Sequence, residues 1–512
     1  MSVNVTENAD KTESLQTDLQ PAALGQLAAD LDGFVRQAAG EGRSLADVER
    51  SVLDSVLAMG FTAINTFVEL QGDGDLGETV TTEDGSTLVR SDERVSRKLR
   101  TIFGRHTFFQ FAYARGVKRK VELRPLDARM SLPTGVASYL LEEFSQFFCV
   151  EQAFGTARRS LATVLRQDVC VDTLERINHR VGEQADDYLD RLPVPPTDQE
   201  GEVLVFTGDG KGVPMVKPDA ARVPVCGEAP QRPGNRRMAT LACVYSVDRY
   251  VRTPEDVVAA LFRDDDRPPT SDRPQPRFKH TLARFGRTYE DGDGTIEVSS
   301  AFESFSWASG QVAARQRKEQ PLVRLMDGQE SLWNAADACL ESESDADILD
   351  IIHVASYVRR AAKVFHAHEE YREAFSRDRL LRILRGETAG VVSGLRQMAS
   401  KRKLSGEHGK EIVTVCRYFE NNLSRMRYDE YLRAGYPIAS GVIEGACRHL
   451  VKDRMERTGM RWRLEPAASM LSVRAVFQSS YWSQFHQHRI DTEQASLHPH
   501  RSLLHNYQPI FA

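Results

Sequence analysis

Two short apolar runs, each stopped by Asp-Gly, do most to constrain what this chain can fold into. Val203-Leu-Val-Phe-Thr-Gly-Asp209 and Leu322-Val-Arg-Leu-Met-Asp327 have strand length and a largely apolar content. A run without polar alternation has both faces covered, which suits the middle of a buried sheet. Met238–Val247 is a third run of this kind and Ile348–Val354 a fourth. Between them, Pro254–Phe262 and residues 299–318 have helical spacing, and 264–277 is a charged, proline-rich loop. Strands alternating with helices imply an α/β architecture.

The flanking segments differ in texture. Residues 1–20 are polar and aperiodic, so disorder is expected there. Leu24, Leu27, Leu31 and Phe34, then Val48, Val52, Val56 and Leu57, recur at helical spacing; a Gly/Asp/Thr-rich loop follows at 72–86. Phe108–Tyr113 and Val117–Leu123 are strand-like, and 135–165 is again helical. Over 158–182, Leu161, Leu165 and Val169 can close on Leu174, Ile177 and Val181 across a tight connection. That pattern fits a helix-turn-helix exposing Arg176, His179 and Arg180, and fits an ordinary helical hairpin equally well. Pro193-Val-Pro-Pro196 marks a linker. From His353 to about Gly435 the chain is helical throughout; Pro437 interrupts it, and Ser440 is positioned to cap a helix running from Gly441 to Lys452.

A net charge of −6 speaks mildly against nucleic acid, but its distribution matters more. Residues 90–129 hold twelve Lys/Arg against four acids, with Phe103, Phe108, Phe109, Phe111 and Tyr113 interleaved. This is either a solvated strand face or a surface for a phosphate backbone, with Lys118, Arg119 and Lys120 its densest cations. The seven cysteines are scattered without a C-x-x-C pair, which argues against a zinc ribbon and a disulfide framework. No apolar run approaches the roughly eighteen residues of a membrane span, and the first residues lack the pattern of an export signal. A cytoplasmic protein without a membrane partner is expected.

Taken singly, Asp209 and Asp327 look like turn residues and Glu444 like a surface acid on a helix. Their surroundings are more specific. Glycines flank Asp209, Lys211 follows it, and Arg448 and Lys452 stand four and eight residues beyond Glu444. Metal-assisted phosphodiester cleavage needs hard oxygen ligands on rigid elements, commonly around two ions about 3.5–4 Å apart. Two strand-end aspartates and a helix-borne glutamate, with cations beside them for phosphates, suit that chemistry.

At these segments the chain resembles the insertion-sequence transposases of the ISKra family. The likeness is carried by Val205–Met215, Arg237-Met-Ala-Thr, Arg252–Val257, Leu325–Gln329 and Asp350-Ile-Ile-His353, and above all by Tyr428–Met455 continuing to Thr458–Trp462. It implies a ribonuclease H-like mixed sheet with Asp209, Asp327 and Glu444 as a DDE triad holding Mg²⁺, for which Mn²⁺ can substitute. Asp350 and His353 would be supporting residues of a D-x-x-H signature. Independently of the resemblance, Lys211, Arg448 and Lys452 by their positions beside the carboxylates, and Arg176 by the helix-turn-helix reading, are expected to contact DNA. The implied layout is a helical DNA-binding region at 21–192, core segments at 200–353 and 436–480, an all-α insertion at 354–435 and a tail at 481–512. The expected activity is cleavage and strand transfer at terminal inverted repeats of double-stranded DNA, by a dimer or larger homo-oligomer associated with the nucleoid. Rival readings are a nuclease that cuts without joining and a DNA-binding protein descended from a transposase; nothing marks the sugar cleft of a glycosidase. One departure stands out: relatives often carry C-x-x-C ahead of the Pro-Leu-Asp segment, and here Tyr113–Lys118 before Pro125-Leu-Asp127 has no cysteine.

Overall fold

The computed structural model describes residues 24–116, 118–225, 228–265, 267–269, 271, 273–291 and 294–508. The segment expected to be disordered, 1–20, lies outside the described residues. The chain is a mixed α/β protein made of two compact units, one holding residues up to Leu174 together with those from His486 onward, the other Glu175–Phe485.

The first unit opens with helices Leu24–Glu41 and Leu45–Glu69, the second capped by Ser44. The stretch read as a loop contains a short strand, Thr79–Thr81, that enters a four-stranded sheet with Thr87–Arg90, Tyr113–Ala114 and Val121–Leu123. Part of the basic segment forms a separate hairpin, Val95–Thr101 with Gly104–Gln110. Its alternation buries Leu99, His106 and Phe108 and leaves Lys98, Arg105 and Phe109 exposed. Helices Tyr139–Glu151 and Phe154–Leu165 follow, and a buried ion pair joins Glu142 to Arg489. The view that nothing here is apolar enough to span a membrane needs amendment. Leu45–Glu69 is a 25-residue helix whose best window has mean hydropathy 1.4 and is only 6% buried. Polar residues spaced along that helix interrupt any continuous run, so run length was the wrong measure.

The second unit is built on a five-stranded sheet: β1 (Val203–Pro214), β2 (Arg236–Val247), β3 (Arg277–Phe285), β4 (Leu322–Met326) and β5 (Ala346–Leu349). Their order is β3-β2-β1-β4-β5, with β1–β3 antiparallel in sequence and β4 and β5 parallel to β1. Among helices, α1 (Pro254–Phe262) starts at a Thr253–Asp256 capping box, and α2 (Ser300–Arg315) packs on β2. After α3 (Glu330–Cys339) and β5 comes the helical block: α4 (Ile351–Phe365), α5 (Glu369–Leu384), α6 (Thr388–Lys401), α7 (Gly406–Asn421) and α8 (Tyr428–Arg433). Then α9 (Gly441–Ala446) leads through a π-helical turn, 447–452, toward α10 (Leu464–Gln478), which packs on β3.

Three expectations change. β1 does not turn at Asp209; it stays paired with β2 as far as Pro214, because glycines at 208, 210 and 212 do not break a strand held on one side by a long partner. β3 was missed, since its Arg, Lys and His suggest a surface segment. Arg277 and Lys279 are exposed, but Arg284 is buried against Asp186 and Asp190, and His280 against Gln311 and Tyr481. The fourth apolar run is a strand only to Leu349, after which Asp350 accepts the Ile352 amide and starts α4.

The Tyr428–Leu432 motif anchors the sheet edge. Tyr428 donates its hydroxyl to the Leu349 carbonyl at 2.6 Å and Tyr431 donates to that of Asp347 at 2.8 Å. These bonds cover part of the open side of β5, where unpaired carbonyls would otherwise be exposed.

Candidate active site

Asp209, Asp327 and Asp350 stand at one level of three adjacent parallel strands. β4 pairs with β1 as Leu322↔Leu204 through Arg324↔Phe206, and that register, carried on, sets Asp327 beside Asp209. β5 pairs with β4 as Val323↔Ala346 through Met326↔Leu349, which sets Asp350 beside Asp327. Residues level with one another on neighbouring parallel strands share a face, so the three carboxylates converge at the carboxyl ends of β4 and β5. Glu444 arrives from α9, a short helix that packs on β1 and β2.

Each carboxylate is held differently. Asp209 accepts its neighbour's Gly210 amide at 2.7 Å on Oδ1 and the Cys447 thiol at 3.1 Å on Oδ2. Asp327 accepts the Gln329 amide at 2.9 Å, while its carbonyl takes the Trp333 indole N–H at 2.6 Å. Asp350 is wholly buried: Oδ1 accepts Ile352 N–H at 2.9 Å and Ser440 N–H at 3.2 Å, and Oδ2 accepts the Ser440 hydroxyl at 2.6 Å. Ser440 does sit ahead of α9, but its hydroxyl serves Asp350 and not the helix end. Asp350, His353 and Glu444 each offer a ligand atom, and these atoms lie within 4.8 Å of one another.

Crowding is visible in the acidities. Burial pushes the Asp327 carboxyl above the ordinary carboxylate value, Asp209 and Asp350 push the same way, and the Gln329 amide and His353 oppose them. Glu444 is raised as well, first by burial and then by Asp350 and Asp209, against His353. Several anions share one pocket, with His353 the adjacent imidazole.

The cations distribute unevenly. Lys211 lies two residues beyond Asp209 on β1, hence on the same face, and its charge reaches Cys447. Arg448 and Lys452 are exposed, but the turn carrying them is π-helical. Its wider winding bends the row from Glu444 through Arg448 to Lys452 that an α-helix would keep straight. Arg474, buried on α10, donates to the Leu450 and His449 carbonyls within this turn, so the irregular backbone is satisfied. Lys118, Arg119 and Lys120 are exposed in the first unit. Arg176 is exposed on helix Val171–Leu189, which from Glu175 onward belongs to the second unit. There Gly182 leaves no room for a Cβ against Ser469, and Asp186 pairs with Arg284 and Arg287.

Cys447 went unnoticed in the sequence, where the thiols look inert. The signal was its place three residues after Glu444, one helical turn toward Asp209.

No protein-family model matches the chain, and no curated protein matches it. Among solved structures it is similar to the Drosophila P element transposase strand transfer complex, at 11% identity over 72% of this chain and 92% of that one. The TM-score is 0.20, too low to carry any argument about the site.

Proposed function

We propose that this chain is a DNA transposase with a ribonuclease H-like core, using Asp209, Asp327 and Glu444 to bind Mg²⁺, with Mn²⁺ able to replace it. The observation that carries the reading is the common level of Asp209, Asp327 and Asp350 on β1, β4 and β5, with Glu444 above them. The strand order β3-β2-β1-β4-β5 supports such a core, and the resemblance at Tyr428–Trp462 supports the ISKra-type family.

The donor set fits the metal. Oxygens from three carboxylates are hard ligands suited to Mg²⁺ and Mn²⁺, and His353 stands beside them with a ring nitrogen. The carboxyls of Asp327 and Glu444, pushed up by burial and then by neighbouring carboxylates, carry a repulsion that a bound cation would relieve. Bound there, divalent ions would polarise the phosphodiester and neutralise charge developing in its displacement. The chain's own part is positioning. β1 fixes Asp209 in a paired strand, Trp333 and the Gln329 amide fix the Asp327 turn, and Ser440 ties Asp350 to the segment bearing Glu444. Lys211, Arg448 and Lys452 would hold phosphates next to the carboxylates, and Lys118–Lys120 with the first turns of the Arg176 helix would hold DNA farther out. Joining two ends in one event calls for a dimer or larger assembly on double-stranded DNA, in the nucleoid.

The test uses the purified chain, MgCl₂ and the DNA flanking its own gene, scored for 3′-OH nicks and for joining to a supercoiled plasmid. Asp209→Ala is expected to abolish both while keeping end binding in a gel shift. Unchanged cleavage in that variant refutes the metal site, and nicks that are never joined favour a nuclease.

A further inference from the structure

The all-α block between β5 and Glu444 reaches the turn of Asp327, just past β4, at two points. On α7, Tyr418 packs closely against Gly328, the residue after Asp327. A Cβ built on Gly328 would fall 2.4 Å from the Tyr418 ring and 2.8 Å from its hydroxyl. Just beyond α7, the Arg425 guanidinium sits 4.0 Å from the centre of the Trp333 ring, whose indole N–H holds the Asp327 carbonyl. The turn bearing Asp327 is thus contacted by Tyr418 at Gly328 and by Trp333 at the Asp327 carbonyl.

Tyr418 is itself braced. Its ring stacks on Tyr357 with centroids 3.7 Å apart and planes within 3°, and Arg360 covers the far side of Tyr357 at 4.4 Å. Arg360 is fixed by two hydrogen bonds to Glu411 on α7. Tyr357 lies on α4, four residues after His353 and so one helical turn away. The Tyr418 hydroxyl is buried without a hydrogen bond of full geometry among the described residues, and the Gly328 backbone and the Asp327 charge both bear on it, so it meets the turn at the backbone of Gly328.

We propose that Tyr418 is a positioning residue: the helical block presses it against Gly328 and thereby sets the Asp327 carboxylate toward the metal. This rests on the metal reading above. It gives the block a role in the chemistry of the core, and it makes Gly328 a requirement of close approach, since no larger side chain fits beneath the ring. Groups that orient a ligand without touching the metal typically change affinity by about 10–100-fold when altered.

The experiment counts free Mn²⁺ by electron paramagnetic resonance in titrations of the full chain with MnCl₂, with the unliganded melting temperature as a check on folding. Gly328→Ala is expected to weaken Mn²⁺ binding about tenfold, and adding Tyr418→Leu, which makes room for the new methyl, is expected to restore most of it. If Gly328→Ala alone is insoluble, recovery of soluble, Mn²⁺-binding protein in the double variant is the expected result. Wild-type affinity in Gly328→Ala overturns the inference, as does a double variant no better than the single one. Asp209→Ala separates the two ideas. If it binds Mn²⁺ like wild type, the metal reading falls and this inference with it; if it loses binding while Gly328→Ala keeps it, only the inference falls.

Discussion

Ser440→Ala probes how the site is held without touching a proposed ligand. The hydroxyl donates to Asp350 Oδ2 at 2.6 Å in a buried setting, and its loss leaves two backbone amides on Oδ1. A hydrogen bond to a charged, buried group contributes about 1.5–3 kcal/mol net. Glu175–Phe485 spans about 300 residues, and at roughly 2 cal/mol/K of unfolding entropy per residue that loss lowers the melting temperature by about 2–5 °C. Asp350→Asn keeps the volume but turns a donor toward amides that also donate, and so costs about 3 kcal/mol or more. The two changes remove the same bond, so Ser440→Ala added to Asp350→Asn is expected to cost under about 0.5 kcal/mol further. Ser440 also accepts the Glu444 amide on its carbonyl at 3.0 Å. Slackening this segment is therefore expected to raise the Mg²⁺ concentration for half-maximal cleavage about tenfold. The assay is thermal and urea unfolding of the four proteins in EDTA, followed by Mg²⁺ titration of cleavage. A Ser440→Ala protein that melts like wild type, or a double variant whose losses simply add, would refute the view that this bond ties β5 to the glutamate.

Two further outcomes follow from buried groups. Burial, with the nearby Arg315 charge, holds His280 at about 4, below its ordinary 6.5. The unfolded chain takes up this proton first, so stability is full above about pH 7 and falls between roughly pH 6.5 and 4, by about 3 kcal/mol for this group; urea midpoints across that range should show a shallower slope for His280→Gln. Cysteine labelling should be just as ordered. Exposed Cys170 is expected to react first with N-ethylmaleimide, whereas Cys447 and Cys243 (buried, with thiols pushed up, Cys243 to about 11) should react only in denaturant, as peptide mass mapping would show. Rapid labelling of Cys447 in the native protein would contradict its bond to Asp209.

What could be read from the sequence was set by local rules, and what could not was set by pairing. Apolar runs located β1, β2 and β4, and helical spacing located α1, because burial on both faces and on one face each leave a mark within a few residues. β3 left no such mark: its buried Arg284 and His280 are tolerable only because Asp186, Gln311 and Tyr481 meet them, the first 98 residues away. The π-turn after Glu444 was hidden likewise, since the Arg474 that satisfies its carbonyls lies 24 residues on. The site itself occupies middle ground. Asp327 follows Asp209 by 118 residues, and Leu322 pairs with Leu204 at the same offset; Asp350 follows Asp327 by 23, and Ala346 pairs with Val323 at the same offset. Sequence spacing alone cannot announce those equalities, because any loop length would serve to connect the strands. Once the register is known, the spacing becomes a condition on function. A slip of one residue in β4 would turn the Asp327 side chain to the opposite face of the sheet, leaving the Trp333 and Tyr418 contacts with nothing to aim. The long helical block escapes that condition, since it sits outside the strands, and so it was free to supply Tyr418.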